Sequence, residues 1–170
     1  AGVSHGPDPA TLVNGSVISV TQLFKAVPAR LKFLKTERTE QGRCLDVIKR
    51  LAMASPHVAF RLMADDRVIL DLPSASTDQV SQQWRIGSIM GRTFADEAIM
   101  LDKKRNQIHL SGFAGLPTMN RPTTAHMFLF VNGRPIHDRS LLGAIRAGYG
   151  DTLQRGRHPM VVLFISLPSA

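Results

Sequence analysis

Apolar positions along the chain change period most clearly between Phe128 and Leu153. Phe128-Leu129-Phe130-Val131 is an unbroken run of β-favouring residues and predicts a buried strand. Asn132-Gly133 tolerates positive φ and predicts a tight reversal. Asp138 then stands where it can cap a helix whose apolar positions, Leu142, Ile145, Tyr149 and Leu153, recur at three- and four-residue steps. Arg139 and Arg146, two turns apart, share a different face, and Arg134 lies just past the turn. Arginines in this pattern have two readings: the solvated side of an amphipathic helix, or guanidinium groups held on a rigid strand-turn-helix for bidentate contacts to phosphate.

The remaining chain follows the same logic. Ala1 to Asn14, rich in Gly, Pro and small polar residues, predicts loop or disorder. From Gly15 the run Val-Ile-Ser-Val-Thr, then Leu23-Phe24, suits a strand interrupted at Pro28. Leu45, Ile48, Leu51 and Ala52 mark a helix face that ends at Ser55-Pro56. Val58 to Met63 and Val68 to Leu70 flank an Asp65-Asp66 turn and predict a hairpin. Asp78 caps a helix with Val80, Trp84 and Ile89 inward, closed by Gly91. Ile108 to Ala114 and Met160 to Ile165 complete the strands. The order predicts an α+β domain with a mixed sheet and helices on one side.

Composition changes the picture through charge. The 170 residues are 44% hydrophobic, enough for one folded domain and a fragment of a second. A net charge of +8 and a pI near 10.6 favour a polyanionic partner, nucleic acid ahead of an anionic membrane surface. The basic stretch from Lys25 to Arg50, carrying Arg30, Lys32, Lys35, Arg38, Arg43, Lys49 and Arg50 against Glu37, Glu40 and Asp46, adds to this. Val161 to Ile165, the longest apolar run near the C-terminus, is far below the ~20 residues of a membrane span, so no membrane partner is expected. A single cysteine, Cys44, excludes an internal disulfide and suits a reducing, cytoplasmic location. The chain opens on Ala, which leads us to expect a piece of something larger.

Enzymatic signatures are absent. The six histidines are scattered without metal-ligand spacing. Gly87 to Arg92 lacks the Gly-Lys-Ser/Thr ending of a phosphate-binding loop and instead suggests close helix packing. Asp65-Asp66 reads as turn chemistry, and Cys44, beside an apolar helix face, as a buried inert thiol. No catalytic residue and no metal ligand is predicted.

Two blocks nevertheless resemble a known family. Gly15-Ser16, Leu23-Phe24 and Pro28-Ala29-Arg30-Leu31-Lys32-Phe33-Leu34-Lys35 are similar to the end of the ATPase domain in the MutL family of DNA mismatch repair proteins. Phe130-Val131-Asn132-Gly133-Arg134, with Asp138-Arg139 and the helix after them, is similar to that family's second block, in matching order and spacing. Where the family has an aromatic followed by Asn-Thr, this chain has Lys25-Ala26-Val27.

The resemblance implies residues 1–35 as the C-terminal end of a GHKL-type ATP-binding domain. It implies residues 36–170 as a truncated transducer domain of ribosomal-protein-like fold, with a left-handed β-α-β crossover. It implies a parent that binds ATP and Mg, closes as a homodimer on binding ATP, and works in DNA repair with DNA, mismatched DNA included, and other mismatch repair proteins. The fragment itself, lacking the family's catalytic residues, is expected to hold no nucleotide and to be inactive alone. By position, Ser16 matches a hydroxyl of the ATP pocket and Arg139 an arginine implicated in DNA binding. Arg134 and Arg146 join it on the residue reading alone. Arg30, Lys32 and Lys35 read either as a solvated helix start or as contacts to nucleotide-responsive loops. The competing reading is a stand-alone basic nucleic-acid-binding module of ribosomal-protein-like topology with no ATPase attached.

Overall fold

The computed structural model describes residues 17–76 and 78–168. In chain order the elements are α1 (Pro28–Leu31), α2 (Glu37–Ala54), β1 (Phe60–Ala64), β2 (Arg67–Leu72), α3 (Gln79–Met90), α4 (Arg92–Glu97), β3 (Ile99–Arg105), β4 (Ile108–Ala114), β5 (Asn120–Arg121), β6 (Met127–Val131), β7 (Arg134–Ile136), α5 (Arg139–Tyr149), β8 (His158–Pro159) and β9 (Val161–Ser166). The chain divides into two compact units, Ala1–Arg43 and Cys44–Ala170, and the division falls within α2.

In the first unit, the strand expected after Gly15 does not form among the described residues; Val17 and Ile18 are exposed and unpaired. A β-favouring run needs a neighbouring strand to satisfy its backbone, and the described residues of this unit offer none. Pro28 opens α1 at its first position, where a missing N–H costs nothing. Arg30 lies over the Phe24 ring at 5.8 Å, and Glu40 accepts from the Lys35 backbone N–H at 3.0 Å.

The second unit is built on a five-stranded sheet of order β3-β4-β9-β6-β7. All neighbours are antiparallel except β6 and β9, which run parallel and are joined through β7 and α5. Successive residues of β6 face opposite ways, so Phe128 and Phe130 enter one apolar cluster while Met127 and Leu129 enter another. The first cluster gathers Met53 of α2, Ile86 and Met90 of α3 and Phe94 of α4, with Phe130 stacked on Phe164 at 4.7 Å. The second receives Leu141, Leu142, Ile145 and Tyr149 of α5.

The mixed sheet with flanking helices is as the sequence predicts, with one correction. Helices cover both faces, not one, because β6 and β9, apolar from Met127 to Val131 and from Val161 to Ile165, present apolar side chains to both faces and each needs a cover.

Two further expectations change. Helix α3 leaves Val80 at 77% and Trp84 at 50% exposure, and turns Arg85, Ile86 and Met90 inward. Arg85 is 1% exposed, and its Nη2 donates to the carbonyls of Pro56, Val58 and Pro73 at 2.6 to 3.1 Å. Burial pushes its guanidinium below its ordinary pKa. These bonds tie α3 to both ends of the β1–β2 hairpin and fix the helix's rotation against its apolar pattern. Cys44, expected buried, is exposed and free. The close packing expected at Gly87 is present: a Cβ there would meet Ala95 Cβ of α4 at 2.6 Å.

Candidate nucleic-acid interface

The strand, turn and helix from Met127 to Tyr149 all form. β6 sits inside the sheet, and Asn132 and Gly133 take φ of 46° and 76°, the paired positive values of a two-residue hairpin turn. Asn132 also has a second task. Its Nδ2 donates to Leu167 O at 3.1 Å, its Oδ1 accepts from Leu167 N at 2.8 Å, and its own N–H donates to Ile165 O at 2.9 Å. The turn is thereby clamped to the chain leaving β9. Periodicity marks Asn132 as a turn residue but carries no signal for a bond to a residue 35 positions away.

Past the turn, β7 is an edge strand, which is where Pro135 can sit without breaking a ladder. Asp138 caps α5, its Oδ1 accepting from Leu141 N at 2.8 Å. At the other end Tyr149 donates its hydroxyl to Gly115 O at 2.7 Å, and burial raises its pKa. These end contacts matter because an apolar cleft of about 460 Å³, lined by Leu110, Leu129, Ile145 and Leu163 among others, lies between α5 and the sheet. The helix packs on the sheet through Leu141, Leu142, Ile145 and Tyr149, and the Tyr149 hydroxyl bond ties its C-terminal end to Gly115.

Arg134, Arg139 and Arg146 are all exposed, and among the described residues none of their side chains forms an ion pair or a hydrogen bond. Arg139 and Arg146 are about 10 Å apart along the helix axis and about 20° apart around it, so they project in one direction beside the buried face. Three unpaired guanidinium groups on a clamped scaffold can bind phosphates without first breaking an internal salt bridge. Ser16, predicted for a nucleotide pocket, lies outside the described residues. Among the described residues no group of three or more His, Cys, Asp or Glu side chains gathers to hold a metal ion.

No helix among the described residues is long and apolar enough to cross a membrane. Residues 86–170 match the family described as DNA mismatch repair protein, C-terminal domain. The chain is 42% identical over 165 residues, 97% of its length, to the DNA mismatch repair protein MutL of Brucella abortus (strain S19). It is 45% identical over 170 residues to that of Bartonella tribocorum (strain CIP 105476 / IBS 506). It spans 26% and 28% of those two relatives. A solved structure described as the Aquifex aeolicus MutL ATPase domain complexed with ADP superimposes with a TM-score of 0.64 at 28% identity, covering 86% of this chain and 50% of that one. Sequence blocks, the mixed sheet with its parallel β6–β9 pair, and these matches agree, and the chain belongs to the MutL family of DNA mismatch repair proteins.

Proposed function

We propose that this chain is the transducer segment of a mismatch repair protein and supplies part of its DNA-binding groove. Residues 36–170 form the transducer portion, and residues 1–35, with Ser16, end the ATP-binding domain. The parent binds ATP and Mg, closes as a homodimer in the cytoplasm, and engages DNA together with other repair proteins. Here the chain's own residues do the gripping. Arg139 and Arg146 on α5, with Arg134 on β7, contact backbone phosphates, while the Asp138 cap orders the start of α5 and the Asn132 clamp ties the turn to the chain leaving β9. Because β9 ends at that clamp, a displacement of the chain beyond Leu167 would reach the arginines through a bonded path rather than a flexible loop.

One observation carries the reading: three exposed guanidinium groups, unpaired among the described residues, stand on one strand-turn-helix of a chain that matches MutL relatives along nearly its whole length. The stand-alone module is not favoured, since this chain superimposes on half of a solved MutL ATPase domain. Arg139→Glu tests the reading through duplex binding as a function of salt. Lower affinity is expected, with the slope of log K against log salt reduced by about one unit for one lost phosphate contact. Unchanged affinity and slope would remove Arg139 from the interface.

A further inference from the structure

A second cationic site lies away from α5. Met90, Gly91, Arg92, Thr93 and Phe94 at the α3–α4 junction, with Thr118, Met119, Arg121 and Met160, line a cleft of about 360 Å³. Its floor residues Met90, Phe94, Met119 and Met160 belong to the apolar cluster on the α2–α4 side of the sheet, whereas α5 covers the other side. Arg92, Thr93, Thr118 and Arg121 are the polar and charged residues among those lining it.

The arginine of β5 keeps most of its donors uncommitted. Each guanidinium carries five N–H donors, and Arg121 commits one of them, to Asn120 O at 3.1 Å. That carbonyl also accepts from Arg157 Nη2 at 3.4 Å, while Arg157 Nε donates to Asn120 Oδ1 at 2.6 Å. Two guanidinium groups therefore meet at one carbonyl, and among the described residues neither has a carboxylate partner. Asn120 is fixed by its Nδ2 bond to Pro117 O at 2.8 Å and by the β5–β8 pairing, so the arginine pair is built into the fold. The carboxylate nearest the cleft's cations is Asp96, 3.7 Å from Arg92 Nε and well exposed, a weak pair that a doubly charged anion would displace. His126 lies within electrostatic reach of Arg121 of β5 and of Lys49 and Asp46 of α2, and its buried Nδ1 has no partner.

We infer that the cleft bounded by Arg92, Thr93, Thr118 and Arg121 binds a phosphate group, with Arg157 bracing the backbone from which Arg121 reaches. The chemistry recognised is a tetrahedral dianion or phosphodiester. It comes either from a free phosphoester or from a polynucleotide backbone running on the side of the sheet opposite α5. The site stands independently of the arginines of α5.

Titration of the 170-residue chain with inorganic phosphate, followed by NMR of the Arg121, Thr118 and His126 signals, tests the inference. Saturable shifts are expected, with the His126 imidazole moving toward its charged form as an anion enters. Arg121→Ala and Arg92→Ala should each weaken binding about tenfold or more, as expected for a lost charge-assisted hydrogen bond. Lys104→Ala, on β3 and outside the cleft lining, should leave it within about twofold. Arg121→Lys keeps the charge and should restore part of the affinity, separating ligand binding from folding. A parallel titration with a single-stranded oligonucleotide lacking terminal phosphates distinguishes the sources. Loss of that binding in Arg121→Ala assigns the site to a polynucleotide backbone, whereas unchanged oligonucleotide binding assigns it to a free phosphoester. Non-saturable phosphate shifts, or equal affinity in wild type, Arg121→Ala and Arg92→Ala, would overturn the site.

Discussion

Gly112 is where one methyl group should do most damage. It sits in β4 between β3 and β9 with φ of 128°, and an ideal Cβ would stand 2.1 Å from Val162 O and 3.1 Å from Leu163 Cα. Both obstructing atoms are backbone, so no side chain can rotate away and β4 or β9 must move. An alanine held at such a φ costs about 1–3 kcal/mol, and overpacking that shifts backbone costs about 1–3 kcal/mol more. Gly112→Ala is therefore expected to lose roughly 2–6 kcal/mol, a large share of a domain's stability. Gly143 supplies the contrast. It lies inside α5 with nothing within 4 Å of an added Cβ, so Gly143→Ala should gain about 0.5–1 kcal/mol from reduced backbone freedom in the unfolded chain. Urea unfolding followed by far-ultraviolet circular dichroism compares the midpoints. A loss below about 1 kcal/mol in Gly112→Ala would refute the steric account of the β4–β9 pairing.

Asn132→Gly keeps the positive φ of the turn but removes both bonds to Leu167, so the Leu167 amide should exchange about tenfold faster while the β6–β7 pairing persists; an unchanged rate would show that the clamp does not hold. Burial first, then the nearby cations Arg121 and Lys49, hold His126 below its ordinary pKa of 6.5, with Asp46 opposing. The unfolded chain thus binds a proton that the fold refuses, so stability should fall as pH drops below 6.5, and His126→Gln should flatten that part of the pH profile; a profile identical to wild type would contradict this.

The central strand, the Asn132-Gly133 turn and the Asp138-capped helix were legible because each rests on local rules: apolar run, positive-φ pair, N-cap and periodicity. What failed depended on contacts between distant residues. The rotation of α3 is set by Arg85 reaching carbonyls at Pro56, Val58 and Pro73, so Trp84 points outward although the helical pattern turns it in. The strand β3 carries Asp102, Lys103, Lys104 and Arg105 and reads as polar surface, yet it pairs along its whole length with β4. The second face of the sheet was hidden for a related reason: the unbroken apolar runs Met127 to Val131 and Val161 to Ile165 announce burial on both sides without saying which helix covers which. At the interface, residue type and helical spacing were enough to place Arg139 and Arg146 together. That they are unpaired among the described residues, and that Asn132 ties their scaffold to Leu167, required the fold.

The central claim, that the arginines of β7 and α5 grip phosphates, is tested most directly by duplex binding to the chain carrying Arg134→Ala, Arg139→Ala and Arg146→Ala between about 50 and 200 mM salt. The account predicts that the slope of log K against log salt falls by about three units relative to wild type, one for each phosphate contact. A slope and affinity equal to those of the wild-type chain would contradict it.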